Sequence, residues 1–171
     1  MERYVKTGKK DEFEITKHEF YTAVHVAKLY PSWVANRENL RNAAPPSQLT
    51  GMPGAPEKIS DPTAERGEKA AQYTDKIVMV EQAAYAADPE LAPWLLVGIT
   101  TEKATYDYMC VHDLIFDGIN LGIIPASKST YCDRRRRCYY YLWQQIKKKI
   151  DGDNIANNGD WKEIAGRWWT K

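Results

Sequence analysis

The chain has 171 residues, 24 lysines and arginines against 23 acids, and 43% apolar residues, which suits one modest core or two small helical ones and excludes a low-complexity or strongly charged polymer. No run of about 18 apolar residues occurs, and Met1 is followed by Glu2, Arg3 and Lys6 instead of an apolar stretch; neither a membrane span nor a secretory leader is predicted, and a soluble cytoplasmic protein is expected. Cys110, Cys132 and Cys138 form no CxxC pair and lie far in sequence from His18, His25 and His112, so reduced packing thiols are expected, with no metal and no cofactor.

Residues 1–15 are polar and of mixed charge, and a flexible, frayed N-terminus is predicted there. Thr16 and Glu19 then form a T-x-x-E capping box, each side chain satisfying a free amide at a helix start. Phe20, Val24 and Ala27 follow at spacings of four and three, continuing toward Val34 if Pro31 is a kink or a fresh start. His18 and His25 could share a face, but no carboxylate or cysteine stands at ligand spacing, and they read as ordinary surface or boundary histidines. Residues 43–60, AAPPSQLTGMPGAPEKIS, hold four prolines and two glycines, so a long loop is predicted. It lacks the terminal Gly-Lys-Ser/Thr of a phosphate-binding loop.

Asp61 and Pro62 start a helix as N-cap and first-turn proline. Ala70, Tyr73, Ile77, Val80, Ala84 and Ala87 recur along it at alternating spacings of three and four, a heptad-like seam. At 1.5 Å per residue it is roughly 39 Å long, so it needs a long partner: the first helical region packed antiparallel, or a second copy in a homodimer. Residues 16–87 are thus expected to be a helical hairpin with an assembly or regulatory role. Asp88 and Pro89 repeat the cap-and-proline device before a helix burying Leu91, Trp94 and Leu95 and ending near Gly98. Thr101 is the expected cap of the next helix, with Tyr106, Met109, Cys110, Leu114 and Ile115 on one side and Gly118 or Gly122 as its stop.

After Pro125, Ser127 caps a helix predicted over 127–150 with no glycine or proline inside it. Tyr131, Arg135, Cys138, Leu142 and Ile146 form its packing stripe. Between Lys128 and Lys149 stand eight cations and one acid, a net +7 in a chain whose total is +1. Lys128, Ser129, Asp133, Arg134, Arg136 and Arg137 project away from at least part of the stripe. A helix with one buried side and an exposed arginine and hydroxyl surface near its N-terminus suits the DNA major groove, where arginine bonds guanine in bidentate fashion. The bland alternative is a solvated basic face, or one that meets RNA, a membrane or an acidic protein. Tyr139, Tyr140, Tyr141 and Trp143 read as core and boundary residues, since neighbouring helical positions cannot form one stacking surface. Residues 88–150 are therefore expected to be a helix-turn-helix domain like region 4 of a sigma factor, and the whole chain all-α.

Residues 151–171 read as a polar linker that ends the basic helix, then a short amphipathic tail helix capped by Asp160 with Trp161, Ile164, Ala165 and Trp168 on one face. An EF-hand reading of DGDNIANNGDWK fails at Ala156 and Lys162. No nucleophile with a neighbouring base, no carboxylate–histidine arrangement and no nucleotide loop suggests an enzyme, and no catalytic residue is assigned.

The stretch LGIIPASKSTYCDRRRRCYYYL resembles the C-terminal signature of RinA/ArpU-type late-gene activators from phages and prophages of Gram-positive bacteria, and GMPGAPEKISDPTAERGEKA is similar to a second hallmark of related phage proteins. The resemblance frames residues 51–142. It implies a sequence-specific DNA-binding regulator of phage late genes, an activator that engages double-stranded DNA and host RNA polymerase. It implies Ser127, Lys128, Ser129, Thr130, Arg134 and Arg137 as DNA contacts, with Arg135 and Arg136 as phosphate contacts or solvated residues. Cys138 departs from the family pattern, which has an aromatic there, and HDLIFDGINLG is longer than a compact turn. The alternatives are a DNA-packaging protein of small-terminase type and an adaptor whose arginines meet an acidic partner.

Overall fold

A computed structural model of the chain describes residues 4–6, 13–43, 62–102, 104–116 and 118–157. The expected loop from 44, the Asp61 cap and the amphipathic tail from 158 lie outside them, as do the side chains of residues 4–6, 62 and 153–157.

The first ordered helix starts where its capping chemistry says it must. Glu19 N–H donates to Thr16 Oγ1 at 3.2 Å and Thr16 N–H to Glu19 Oε2 at 2.7 Å, closing the capping box ahead of α1, Lys17–Lys28. Pro31 acts as a fresh start: Leu29 separates α1 from α2, Tyr30–Asn42, which has the proline in its first turn. Of residues 1–15, expected to be a frayed end, the structure describes 4–6 and 13–15. Strand β1, Tyr4–Lys6, pairs antiparallel with β2, Glu14–Thr16, and Phe13 and Ile15 are buried.

The long helix α3, Pro62–Ala87, buries Ile77, Val80, Ala84 and Ala87 of its expected seam and leaves Ala70 and Tyr73 half-buried. Met79 and Ala83 are buried as well, because α3 packs chiefly against two helices, with α4 touching it besides. Antiparallel α2 is one, marked by Tyr30 Oη donating to Glu81 Oε1 at 2.9 Å and by Lys76 Nζ lying 5.7 Å from the Trp33 ring centroid. The other is α6, Lys128–Asn157.

Between α3 and α6 the chain departs from the expected order. Asp88 Oδ1 accepts from the amides of Glu90 and Leu91, so a turn precedes α4, Ala92–Thr100. That helix runs through Gly98, and Thr101 is its C-cap instead of the cap of the next helix. Thr105 caps α5 by accepting from Tyr108 N–H at 3.3 Å, and α5 is short, Tyr106–Val111. The remainder of the expected helix is a hairpin of β3, Ile115–Phe116, and β4, Ile119–Asn120. Gly118 takes φ +76°, which after an aspartate is hairpin-turn chemistry that a β-branched or helical position would not supply. Residues 112–127 therefore join α5 to α6, well beyond the three or four residues of a compact helix-turn-helix turn.

The basic helix begins where expected and ends later, since Gly152 and the polar residues around it lie inside α6; one interior glycine costs about 1 kcal/mol and does not break a helix by itself. Tyr131, Cys138, Leu142 and Ile146 are all buried, as their spacing predicts, and Tyr139 joins them. One continuous core draws on α1, α2, α3, α4 and α6. The boundary expected between residues 87 and 88 falls inside it, where Asp88 meets Arg134. The chain is mostly helical, with two small antiparallel pairs among the described residues. No described helix is long and apolar enough to cross a membrane.

Candidate nucleic-acid interface

The candidate residues occupy the first three turns of α6, which the fold grips from several sides. Ser127 Oγ accepts from Thr130 N–H at 3.2 Å and lies 2.9 Å from Thr130 Oγ1, so the serine caps the helix while both hydroxyls stay exposed. Ser129 is exposed beside them. Lys128 Nζ donates to Asp107 Oδ2 on α5. The carboxylate raises the ammonium's pKa through that hydrogen bond and its charge, but both side chains face solvent, where such a pair contributes little stability.

The four arginines part company. Arg134 Nε lies 3.2 Å from Asp88 Oδ2, off the line of its N–H, and ties α6 to the α3–α4 turn. Arg137 bonds back to Asp133 at 3.0 Å, a helical i,i+4 pair, and its guanidinium sits 4.6 Å from the Phe13 ring centroid. Both side chains of that pair are mostly covered. Arg136 is exposed and Arg135 half-buried, and neither is paired with a carboxylate among the described residues. The two arginines that the resemblance implied as DNA contacts are thus the two held by intramolecular acids. Of the two expected as phosphate contacts or solvated residues, Arg135 bonds the Tyr139 phenol and Arg136 is exposed.

Farther along the helix Lys147 and Lys148 are exposed. Ser129, Arg136 and Lys147 stand seven and eleven residues apart, two and three helical turns, so they share one edge of α6. Lys149 is half-buried and its charge lowers the pKa of Lys76 on α3, where burial is the larger cause.

Beside this edge lies a groove of about 420 Å³ between α1, the end of α4 and α6. Phe20, Tyr21 and Tyr139 supply aromatic walls, with Phe20 edge-on to both tyrosines at centroid distances of 5.8 and 5.2 Å. Arg135 and Arg136 line one side, and Lys28, paired with Glu102 at 3.0 Å, lines the rim. Phe20, Tyr21 and Lys28 were outside the candidate set, being more than a hundred residues away in sequence from the arginines they meet. The available signal was Arg135 itself, a cation inside the apolar stripe of α6.

Among the described residues no group of three or more histidines, cysteines or acids is placed to hold a metal ion. No protein-family model, curated protein or solved structure matches the chain.

Proposed function

We propose that the protein is a double-stranded DNA-binding transcriptional regulator, a phage or prophage late-gene activator, that meets DNA along the outer edge of α6. The observation that carries this reading is the line of exposed Ser129, Arg136 and Lys147, with Thr130 and Lys148 beside it. A helix presenting hydroxyls near its N-terminus and cations along one edge can fix its register on phosphates while its first turn faces base edges. The RinA/ArpU resemblance of LGIIPASKSTYCDRRRRCYYYL supports the same reading. In this arrangement Arg136, Lys147 and Lys148 neutralise phosphates, Ser129 and Thr130 approach bases, and Arg134 and Arg137 hold the helix in place. Val111, Ile115, Ile119 and Ile123, exposed around the β3–β4 hairpin, offer an apolar surface for RNA polymerase or a second copy.

The test is a salt-series titration onto promoter-proximal DNA from the protein's own locus and onto a scrambled duplex. Arg136→Ala and Lys147→Ala are each expected to weaken both duplexes alike and to reduce the salt slope by about one. Ser129→Ala is expected to reduce the preference for the native duplex. Absence of binding to either duplex at low salt would make the edge a site for an acidic protein and overturn the DNA reading.

A further inference from the structure

The arginine side of the α1–α4–α6 groove presents an electrostatic imbalance. Three cations line the groove, Lys28, Arg135 and Arg136, against one acid, Glu102, which is already paired with Lys28. Arg135 is half-buried; its side chain bonds the Tyr139 phenol, and its buried Nε has no hydrogen-bond partner among the described residues. A cation withdrawn from water without a counter-charge is costly, and an anion that supplies one is held strongly. The surroundings sharpen this. Tyr139, on the groove wall, has its phenol pKa pushed up chiefly by desolvation, so charges there interact through a medium less polarisable than water.

Anion binding alone would not need aromatic walls. Phe20, Tyr21 and Tyr139 give the groove an angled aromatic lining, Phe20 edge-on to both tyrosines, next to its two guanidinium groups. The space of about 420 Å³ falls in the range of small-molecule sites and is too small for a folded partner.

We propose that this groove binds a free mononucleotide-class ligand, a planar aromatic ring carrying one phosphate, with the phosphate on Arg135 and Arg136 and the ring against Phe20, Tyr21 and Tyr139. The proposal goes beyond DNA binding and stands without it. The Lys28–Glu102 ion pair forms the rim on the α1–α4 side. Cys132, a half-buried thiol on the same wall, is a built-in reporter of occupancy.

Isothermal titration of the full chain with adenosine monophosphate, adenosine and inorganic phosphate tests this without DNA. The monophosphate is expected to saturate one site, and adenosine and phosphate to bind at least about tenfold more weakly. Arg135→Gln and Arg136→Gln are each expected to lose about tenfold in affinity for the monophosphate. Because Arg136 is exposed, its replacement leaves the core intact and keeps the result interpretable if Arg135→Gln folds poorly. In the wild-type protein, alkylation of Cys132 should slow when the monophosphate is added while that of Cys110, outside the groove, is unchanged. Failure of the monophosphate to saturate or to protect Cys132 overturns the proposal. So does phosphate binding as tightly as the monophosphate, or an Arg136→Gln variant that binds like wild type.

Discussion

Four consecutive arginines end in four different surroundings because each step along an α-helix turns the side chain by about 100°. Arg134 faces the Asp88 turn, Arg137 the Phe13 ring, Arg135 the inner wall of the groove, and Arg136 its solvent-exposed side. Gly98 makes the same point about position on a smaller scale. In an exposed helix, glycine is about 1 kcal/mol worse than alanine, and Gly98→Ala would then stabilise the protein. Here a Cβ would collide with the Tyr131 hydroxyl and lie 3.2 Å from the ring carbon that bears it, in a core where both residues are buried. Gly98→Ala is therefore expected to destabilise by about 1 to 3 kcal/mol, as overpacking does. Urea unfolding should register it, with Tyr131→Phe recovering part of the loss in the double mutant. A higher midpoint for Gly98→Ala would show that α4 and α6 do not approach so closely.

At the scale of elements, what local chemistry decides was legible in the sequence and what distant packing decides was not. The Thr16–Glu19 box, the α3 seam and the α6 stripe each depend on residues within a turn or two of one another, and each forms as its spacing predicts. Gly98 was read as a helix end because glycine ordinarily marks one; its reason is Tyr131, thirty-three positions later. Gly118, expected as a helix stop, instead turns a hairpin, which is the chemistry of an Asp-Gly step. The candidate site divides in the same way: α6 was legible as basic, but which arginines are free depends on Asp88, Phe13 and α1. Phe13 carries the lesson furthest, since a polar neighbourhood hid an anchor that is edge-on to Tyr140 and Tyr141 at 5.3 and 6.0 Å and lies beneath Arg137. Phe13→Ala is expected to cost about 3 kcal/mol, in the range for a buried phenylalanine. A double-mutant cycle with Arg137→Ala should give a coupling of about 0.5 to 2 kcal/mol from the lost cation–π contact. A Phe13→Ala variant as stable as wild type would detach the N-terminal strands from the fold.

Across the whole molecule, the core that joins α1, α3, α4 and α6 also encloses groups able to ionise at high pH. Tyr131, Cys138 and Tyr139 are neighbours on the inner side of α6, and burial raises the pKa of all three. Arg135 opposes the rise for each, yet burial remains the larger cause. In the unfolded chain an exposed thiol loses its proton near about pH 8.5 and a phenol near about 10, while the folded groups keep theirs. Above those values the folded state binds more protons than the unfolded one, so stability must fall as pH rises. Below about pH 8.5 both states are protonated at these positions, and their contribution is full and level. Lys76 acts in the opposite sense, because burial and Lys149 lower its pKa, so it releases its proton in the folded state first and gains relative stability as the unfolded lysine is approached. The three core groups outweigh Lys76, and Tyr106 and Lys128, whose pKa values are also raised, act in the same direction, so a net decline remains, at up to about 1.4 kcal/mol per pH unit for each fully engaged core group. The decline should begin with the thiol. Urea midpoints measured from about pH 8 to 10 are expected to fall first between about 8.5 and 9.5 in the wild type, and to stay level over that interval in Cys138→Ala, whatever the absolute cost of the smaller side chain. A wild-type midpoint that is flat across the interval would mean that Cys138 reaches water in the folded protein, which the packing of α6 against α1 and α3 does not permit.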